Sequence, residues 1–256
     1  MRPNPMRAAV ERGEVQIGSW INIVHNPAVL TLMKAAGLDF ARVDMEHSMP
    51  SAETINSFAL LARALDFPLS VRPPSPSKEW IQRLLDAGIW NLHITGIETV
   101  EQAAEVAAAT RYWPMGTRGA ANQAAGSDFD MSMPPSERMA FMNREVFLTV
   151  MLETPEALSR ADEIAAIDGI DALTIGPSDL AKNMGIQGSP DQARIIDEKR
   201  MEMIAAAKRH GKHVALLVGN DEQAKRWIAE GVLILAYRTD TSLLYEAYNR
   251  IAKVKS

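Results

Sequence analysis

Short apolar runs, rich in β-branched and aliphatic residues, recur along the whole chain and alternate with segments of helical periodicity. Eight of these runs are predicted as strands, at residues 16–23, 38–43, 68–72, 90–95, 146–153, 172–175, 213–218 and 232–237. Gly37, Gly88 and Gly231 follow the intervening segments, as is typical of helices that end just before a strand. Strands and helices that alternate in this way predict a parallel sheet.

Eight strands in a chain of 256 residues favour an α/β fold of the (β/α)8 TIM-barrel type, with residues 1–256 forming a single domain. An open doubly wound sheet would give the same alternation, so the strand count and the length decide for the barrel. Two segments interrupt the pattern. Residues 112–144 are predicted as a long polar loop, and residues 182–191 as a candidate lid or subunit contact.

Composition narrows the range of functions. The formal net charge is −5, with lysine and arginine spread along the chain, which argues against a nucleic-acid-binding face. The absence of cysteine excludes disulfides, thiolate catalysis and cysteine-ligated metal sites. No apolar run approaches the ~20 residues of a membrane-spanning helix, and residues 1–13 lack the apolar stretch of a signal peptide. We therefore expect a cytoplasmic protein whose partner is a small molecule.

Charged residues that can carry chemistry follow the predicted strands. Asp44 and His47 follow the second strand, Arg72 ends the third, Glu153 ends the fifth, and Asp179 comes shortly after the sixth. In a barrel the carboxyl ends of all strands form one rim, so residues distant in sequence converge there. The sequence therefore predicts an active site built from these five side chains.

Each side chain has a predicted role and a plainer alternative. Asp44 can orient the imidazole of His47 as a base that works at neutral pH, or it can merely cap the next turn while His47 lies at the surface. Glu153 and Asp179 are hard oxygen donors that suit Mg²⁺ or Mn²⁺, or each can cap the helix that follows it. Arg72 would stabilise the negative oxygen of an enolate.

The turn from Gly176 to Asp179 opens a helix, so its free backbone N–H groups can bind a carboxylate. A carboxylate-binding turn beside a metal ion is suited to a ligand such as pyruvate, which carries a carboxylate next to a keto group. Schiff-base chemistry is disfavoured because no lysine lies at a predicted strand end, and neither of the common glycine-rich phosphate motifs occurs.

Together these residues resemble the class II 2-oxoacid aldolases of the HpcH/HpaI type, which include the 4-hydroxy-2-oxoheptanedioate and 2-dehydro-3-deoxyglucarate aldolases. The resemblance runs nearly from end to end. The matching motifs are Gly18-Ser19-Trp20, Ala36-Gly37-Leu38-Asp39-Phe40, Asp44-Met45-Glu46-His47, Val71-Arg72-Pro73, Arg111-Tyr112, Gly116-Thr117-Arg118-Gly119, Glu153-Thr154, Ile175-Gly176-Pro177-Ser178-Asp179-Leu180, Met184-Gly185 and Asp240-Thr241.

The resemblance implies a hexamer, a trimer of dimers that exchange their eighth helix, and reversible cleavage of 4-hydroxy-2-oxo acids into pyruvate and an aldehyde. It implies a divalent metal, Mg²⁺ or Mn²⁺ with Co²⁺ as a further option, on Glu153 and Asp179. His47 with Asp44 matches the catalytic dyad, and Arg72 matches the arginine at the keto oxygen. The implied substrate-binding residues are Trp20, Arg72, Gly176, Pro177, Ser178, Asp179 and Leu217. Trp20 could instead be an ordinary aromatic residue of the barrel core.

Three positions depart from the family pattern. Met151 stands where a glutamine is usual, Gly126 where a loop arginine binds the far carboxylate of a dicarboxylic substrate, and Arg238 where the end of the eighth strand is usually small and apolar. The aldehyde partner is therefore open. Two other functions compete with the aldolase: decarboxylation of oxaloacetate or another reaction through the pyruvate enolate, and a weakly catalytic protein that only binds a 2-oxo acid.

Overall fold

Eight parallel strands close into a barrel in their order along the chain. The computed structural model describes residues 1–121 and 124–255. The strands are β1 Gln16–Ile21, β2 Phe40–Asp44, β3 Leu69–Arg72, β4 Asn91–Ile97, β5 Phe147–Leu152, β6 Ala172–Ile175, β7 His213–Val218 and β8 Ile234–Thr239. The predicted barrel is confirmed.

Helices surround the barrel. In the part of the chain that the structure describes they are α1 Pro5–Glu11, α2 Ala28–Ala35, α3 Ala52–Leu65, α4 Lys78–Asp86, α5 Val100–Ala109, α6 Pro135–Glu145, α7 Pro155–Ser159, α8 Ala161–Ala165, α9 Pro177–Asn183, α10 Gln192–Arg209, α11 Asp221–Ala229 and α12 Asp240–Ala252. Ser51, Ser77 and Thr99 are the N-cap residues of α3, α4 and α5, and the side-chain oxygen of each accepts a backbone N–H of the first turn. No described helix has both the length and the apolar character that crossing a membrane requires.

The prediction of one long loop over residues 112–144 was wrong in its second half, because α6 occupies Pro135–Glu145. Pro135 stands in the first turn, where its missing N–H costs nothing. The helix escaped detection because the residues it buries are largely polar, including Asn143 and Glu145. Asn143 bonds the backbone of Tyr112, and Glu145 accepts the N–H of Asn4. Polar groups buried in this way carry no hydrophobic periodicity.

Apolar side chains fill the barrel where the strands begin. Met6 and Val10 of α1 pack there with Phe40 and Phe147, which point inward from β2 and β5. Gly18 on β1 is required at this level, since a Cβ there would lie 2.4 Å from the backbone oxygen of Phe40. A second and larger apolar cluster lies between the strands and the outer helices. The barrel is therefore closed at one end, and polar side chains are concentrated towards the other.

Candidate active site

A cavity of about 260 Å³ opens at the carboxyl ends of the strands. It brings together every predicted site residue except Glu153, which packs directly behind it. The residues that line the cavity are Trp20, Asn22, Arg42, Asp44, His47, Arg72, His93, Met151, Thr174, Ile175, Gly176, Pro177, Ser178, Asp179, Leu217 and Thr239.

Arg72 and Asp44 form a bidentate pair in the wall of this cavity. The register of β2 and β3 sets them side by side. Nε of Arg72 donates to Oδ1 of Asp44 at 2.9 Å, and Nη2 donates to Oδ2 at 2.6 Å. Burial raises the pKa of Asp44, but the bonds and charge of Arg72, with two backbone N–H groups, outweigh burial and hold that pKa below its usual range.

His47 is oriented differently from the prediction. Oδ1 of Asp44 accepts the backbone N–H groups of Glu46 and His47, at 2.9 and 3.2 Å, so the carboxylate holds the turn and not the imidazole. The His47 side chain is 61% exposed, with Nε2 3.7 Å from Oε2 of Glu46. Glu46 also bonds Nη1 of Arg72 at 3.0 Å. The ring of His47 therefore lies at the cavity mouth, where it can reach a bound ligand.

Glu153 follows β5 and lies among other carboxylates. Its Oε1 accepts the backbone N–H of Gly96 at 2.9 Å. Burial raises the pKa of Glu153; the Gly96 bond opposes this shift, while the charges of Glu46 and Asp179 add to it. In the described part of the chain, neither Glu153 nor Asp179 forms an ion pair with a lysine or arginine. A bound cation would relieve the repulsion between these carboxylates.

The donor set fits a hard divalent ion. The described residues contain no group of three or more histidine, cysteine, aspartate or glutamate side chains suited to a metal. Two carboxylates are nonetheless what Mg²⁺ commonly takes from a protein, since its other positions go to water and substrate oxygens. Because Gly176 has no side chain, the carboxylate of Glu153 can lie close to the start of α9. A Cβ at this position would lie 3.0 Å from Oε2 of Glu153 and 2.8 Å from Sδ of Met151.

The first turn of α9 supplies backbone donors. Gly176 is the N-cap residue, Pro177 stands in the first turn, and no side chain caps this end among the described residues. The N–H of Leu180 already bonds the carbonyl of Gly176. The N–H groups of Ser178 and Asp179 precede the first intrahelical bond, at a point where the chain lines the cavity. They are suited to an anion such as a carboxylate.

The architecture and these motifs match known proteins along nearly the whole chain. The family model for HpcH/HpaI aldolase/citrate lyase matches residues 16–247. The chain belongs to this family. It is 31% identical over 253 residues to a 5-keto-4-deoxy-D-glucarate aldolase of Klebsiella pneumoniae, covering 98% of this chain and 96% of that protein. It is 30% identical over 251 residues to a 4-hydroxy-2-oxo-heptane-1,7-dioate aldolase of Escherichia coli, covering 97% and 94%.

A solved structure of this family has the same fold. The crystal structure of an HpcH/HpaI aldolase from Desulfitobacterium hafniense superposes with a TM-score of 0.90 at 27% identity, covering 97% of this chain and 95% of that one. The resemblance drawn from the motifs is thus confirmed for the family and for the fold.

Two residues of this HpcH/HpaI chain, Arg42 and His93, were not anticipated. They form the cavity floor, beneath Trp20. The Cζ atoms of Arg42 and Arg72 lie 5.1 and 4.6 Å from the centre of the Trp20 ring, and the His93 ring meets Trp20 edge-on at 5.3 Å. Period two along β2 could have revealed Arg42, because it precedes Asp44 by two residues and faces the same way. Trp20 is both a residue of the inner apolar cluster and a residue that lines the cavity, so the two interpretations of this position do not exclude each other.

Buried positive charge shapes the chemistry of the cavity floor. Burial and the neighbouring charge of Arg72 lower the pKa of Arg42 to about 9. Burial, then the charges of Arg42 and Arg72, lowers the pKa of His93 well below its usual range. His93 is therefore a neutral imidazole at pH 7, able to donate one N–H and accept at the other nitrogen.

The three departures from the family pattern lie in different places. Met151 lines the cavity. Gly126 packs against the end of α4 and against Met142 of α6, and a Cβ there would lie 2.3 Å from the carbonyl oxygen of Leu85. Arg238 bonds the carbonyl of Gly219 at 2.9 Å and pairs with Glu246, and it does not line the cavity. In this chain the cavity therefore receives no cation from position 126 or from Arg238.

Proposed function

We propose that the protein is a divalent-metal-dependent class II aldolase that cleaves 4-hydroxy-2-oxo acids reversibly into pyruvate and an aldehyde. One observation carries the proposal. Arg72, fixed by Asp44, faces the same cavity as the first turn of α9 and the carboxylate of Asp179, with Glu153 directly behind. The relatives from Klebsiella pneumoniae and Escherichia coli, both named as aldolases, support the same reaction class.

The cavity offers a binding group for both the carboxylate and the keto oxygen of the pyruvate half of the substrate. The N–H groups of Ser178 and Asp179 bind the carboxylate, and the guanidinium of Arg72 faces the keto oxygen. Asp44 and Glu46 hold that guanidinium in place before the substrate arrives, so little reorganisation is needed as charge develops. A metal ion on Glu153 and Asp179, Mg²⁺ or Mn²⁺ with Co²⁺ as an option, would polarise the keto group as a Lewis acid.

The residues of the chain then move one proton. In the cleavage direction the imidazole of His47 accepts the proton of the C4 hydroxyl while the bond between C3 and C4 breaks. The aldehyde leaves, and the electron pair of the broken bond stays on the pyruvate fragment as an enolate whose oxygen faces Arg72. The proton taken up by His47 then returns to C3 of the enolate, which gives pyruvate and a neutral imidazole. Asp44 contributes by positioning, since it bonds the backbone N–H of His47 and both arms of the Arg72 fork.

We also propose the hexamer, built from dimers that exchange the helix following β8. That helix, α12, buries only Asp240 among its residues, which are all described. Several of its large apolar side chains are exposed, among them Tyr245 at 71% and Ile251 at 62%. An apolar face left open in this way marks a surface that another subunit covers. Each subunit would be one domain, residues 1–256.

A product assay tests the function. Metal-loaded protein is incubated with pyruvate and a panel of aldehydes, and separately with oxaloacetate, and the products are identified. Aldol adducts together with exchange of pyruvate methyl protons in D₂O support the proposal. Carbon dioxide from oxaloacetate without any adduct would assign the decarboxylase instead, and no turnover with any substrate would leave only a binding role.

A further inference from the structure

The carboxyl end of β4 contains an irregular stretch next to the active site. The register between β4 and β5 shifts between Ile94 and Ile97, so Thr95 and Gly96 lie in a bulge. Gly96 has a φ of +70°, in the left-handed region that favours glycine. The side chain of Thr95 is buried beside it. Bulges redirect the groups near a strand end, so we asked which groups of the site these two residues contact.

The two consecutive residues of this bulge each donate to one carboxylate of the site. Oγ1 of Thr95 donates to Oε1 of Glu46 at 3.0 Å, and the backbone N–H of Gly96 donates to Oε1 of Glu153 at 2.9 Å. An ionised carboxylate only accepts hydrogen bonds, so the threonine hydroxyl is the donor. The end of β4 therefore holds one acid of the proposed metal site and one acid that belongs to a different part of the site.

Glu46 connects the bulge to Arg72. Its Oε2 lies 3.0 Å from Nη1 of Arg72, whose Nε and Nη2 are both bound to Asp44. The other oxygen of Glu46 accepts only the hydroxyl of Thr95 among the described residues. The charge of Glu46 also acts on Glu153, so the two carboxylates lie near each other. A carboxylate in this place can bind Arg72 or turn towards a cation at Glu153, and the bond from Thr95 favours the first arrangement.

We propose that Thr95 is a positioning residue of the active site. Its hydroxyl fixes Glu46 against Nη1 of Arg72, and the next N–H fixes Glu153, so the bulge of β4 sets the guanidinium and the proposed metal ligand relative to each other. Thr95 does not line the cavity and acts through Glu46. The inference rests on the proposed function and deepens it, because a guanidinium held at Nε, Nη1 and Nη2 is preorganised for the enolate oxygen that forms during the reaction.

The test removes the hydroxyl and measures enolate formation. Exchange of pyruvate methyl protons in D₂O is followed by NMR at saturating Mg²⁺, over a range of pyruvate concentrations. Thr95→Val, which replaces the hydroxyl by a methyl group, should lower kcat about tenfold. KM should change little, because the N–H groups of α9 that bind the carboxylate are untouched. Thr95→Ser keeps the hydroxyl and should retain most of the rate. Thr110→Val, the same change at a buried threonine that ends α5, is the control and should exchange normally.

A second measurement separates positioning from packing. Mn²⁺ is titrated into wild type and Thr95→Val, and the free ion is followed by electron paramagnetic resonance. Both proteins should bind Mn²⁺ equally, because the N–H of Gly96 still bonds Glu153 in the variant. A loss of Mn²⁺ affinity parallel to the loss of rate would show that the substitution distorts the bulge as a whole, and the specific role of the hydroxyl would be wrong. An unchanged kcat in Thr95→Val would overturn the proposal as well.

A double-mutant cycle tests the route through Glu46. Glu46→Gln alone should lower kcat for proton exchange about tenfold. Thr95→Val should then cause no further loss, because the hydroxyl acts through this carboxylate. Losses that multiply in the double variant would contradict the route. The side chain of Glu46 is 27% exposed, so Glu46→Gln is expected to fold even if Thr95→Val does not. A normal kcat in Glu46→Gln would by itself overturn the proposal.

Failure of the proposed function is recognisable separately. If metal-loaded wild type neither exchanges pyruvate protons nor adds pyruvate to any aldehyde, the aldolase assignment is wrong, and the role of Thr95 in that reaction is wrong with it. If wild type exchanges protons and the Thr95 and Glu46 variants do so with the same kcat, only the positioning role is wrong.

Discussion

Arg72 and Asp44 lie side by side in the register of β2 and β3, and two hydrogen bonds of 2.9 and 2.6 Å join the guanidinium to the carboxylate. The pair places a rigid positive group at the carboxyl end of the barrel. Asp44 also bonds the amide of Asn22 at 3.0 Å and the backbone N–H groups of Glu46 and His47. One buried carboxylate thus connects Arg72 to the turn that carries His47, the proposed base.

Replacing Asp44 by asparagine should affect both stability and activity. The amide would turn N–H donors towards Arg72, so the bidentate pair would be lost and a buried guanidinium left partly unpaired. We expect a loss of about 3 kcal/mol in the free energy of unfolding, the low end for a broken buried pair because Glu46 remains at 3.0 Å from Arg72. Urea unfolding measures this loss. The rate of pyruvate proton exchange should fall with it, and an unchanged exchange rate would contradict the positioning role of Asp44.

His47→Ala and Arg72→Ala should separate two steps. Both variants are expected to fold, and both should lose aldol cleavage by about a hundredfold or more. Arg72→Ala should also lose proton exchange of pyruvate, because the enolate oxygen lacks its cation. His210→Ala, at a partly exposed position beside Asp162, is a matched control that should leave the rate unchanged. Normal exchange in Arg72→Ala would mean that the role of this arginine has been misassigned.

The sequence was informative wherever one physical signal dominated. Apolar runs of strand length located all eight strands, because each strand–helix unit repeats the same pattern. Charged residues at the ends of those runs located the rim of the cavity. Helix α6 was missed because most of its buried residues are polar. The contact of Asp44 was also misjudged: the carboxylate was expected on the imidazole of His47, and it bonds the backbone N–H instead. Which donor a carboxylate bonds depends on the local turn, and residue spacing does not encode the turn.

Arg42 and His93 were missed for a different reason. Both lie within strands and not at their ends, so they carry no punctuation that marks them as functional. Inward-facing positions of a barrel are usually apolar packing, and a charged or titratable residue there is visible only when the facing of each strand is tracked residue by residue. Neither ring nitrogen of His93 has a hydrogen-bond partner among the described residues, and Arg42 bonds only the hydroxyl of Ser70; both facts depend on three-dimensional packing and cannot be predicted from the sequence.

Removal of divalent metal should abolish turnover. Glu153 and Asp179 repel each other, and neither forms an ion pair with a lysine or arginine among the described residues, so a bound cation would compensate their charge. Excess chelator should stop aldol cleavage, and Mg²⁺, Mn²⁺ or Co²⁺ added back should restore it. Chelator saturated with Ca²⁺ beforehand serves as the control for direct inhibition. A full rate in excess chelator would exclude the metal role of these two acids.

Gly176→Ala should weaken metal binding without unfolding the protein. The added methyl would lie 3.0 Å from Oε2 of Glu153 and 2.8 Å from Sδ of Met151, and both are ends of flexible side chains that can move away. Displacement of Glu153, a proposed metal ligand, should lower metal affinity by about 10-fold or more. A titration of Mn²⁺ followed by electron paramagnetic resonance measures the affinity. Gly219→Ala, whose Cβ would meet only Oε1 of Gln223 at 3.5 Å, is the matched control at a neighbouring strand end and should bind metal normally.

The buried imidazole of His93 should make the folded state less stable as the pH falls. Burial and the charges of Arg42 and Arg72 hold the pKa of His93 well below 6.5, so the folded protein resists a proton that the unfolded chain accepts. Well above pH 6.5 both states are neutral at this residue, and stability does not depend on it. Below that value the unfolded state binds the proton and folding is penalised, by about 1.4 kcal/mol between pH 7.5 and 5.5.

His93→Gln should remove this slope. Urea unfolding of wild type and variant, in sulfonate buffers free of carboxylate and phosphate, gives the difference in free energy of unfolding at each pH. His213, whose pKa is lowered by burial as well, contributes equally to both proteins and cancels. Relative to the variant, wild type should lose about 1.4 kcal/mol over the same range. Parallel curves would mean that His93 takes up a proton in the folded state as readily as in the unfolded chain. Beside two guanidinium charges this would require an anion that compensates them.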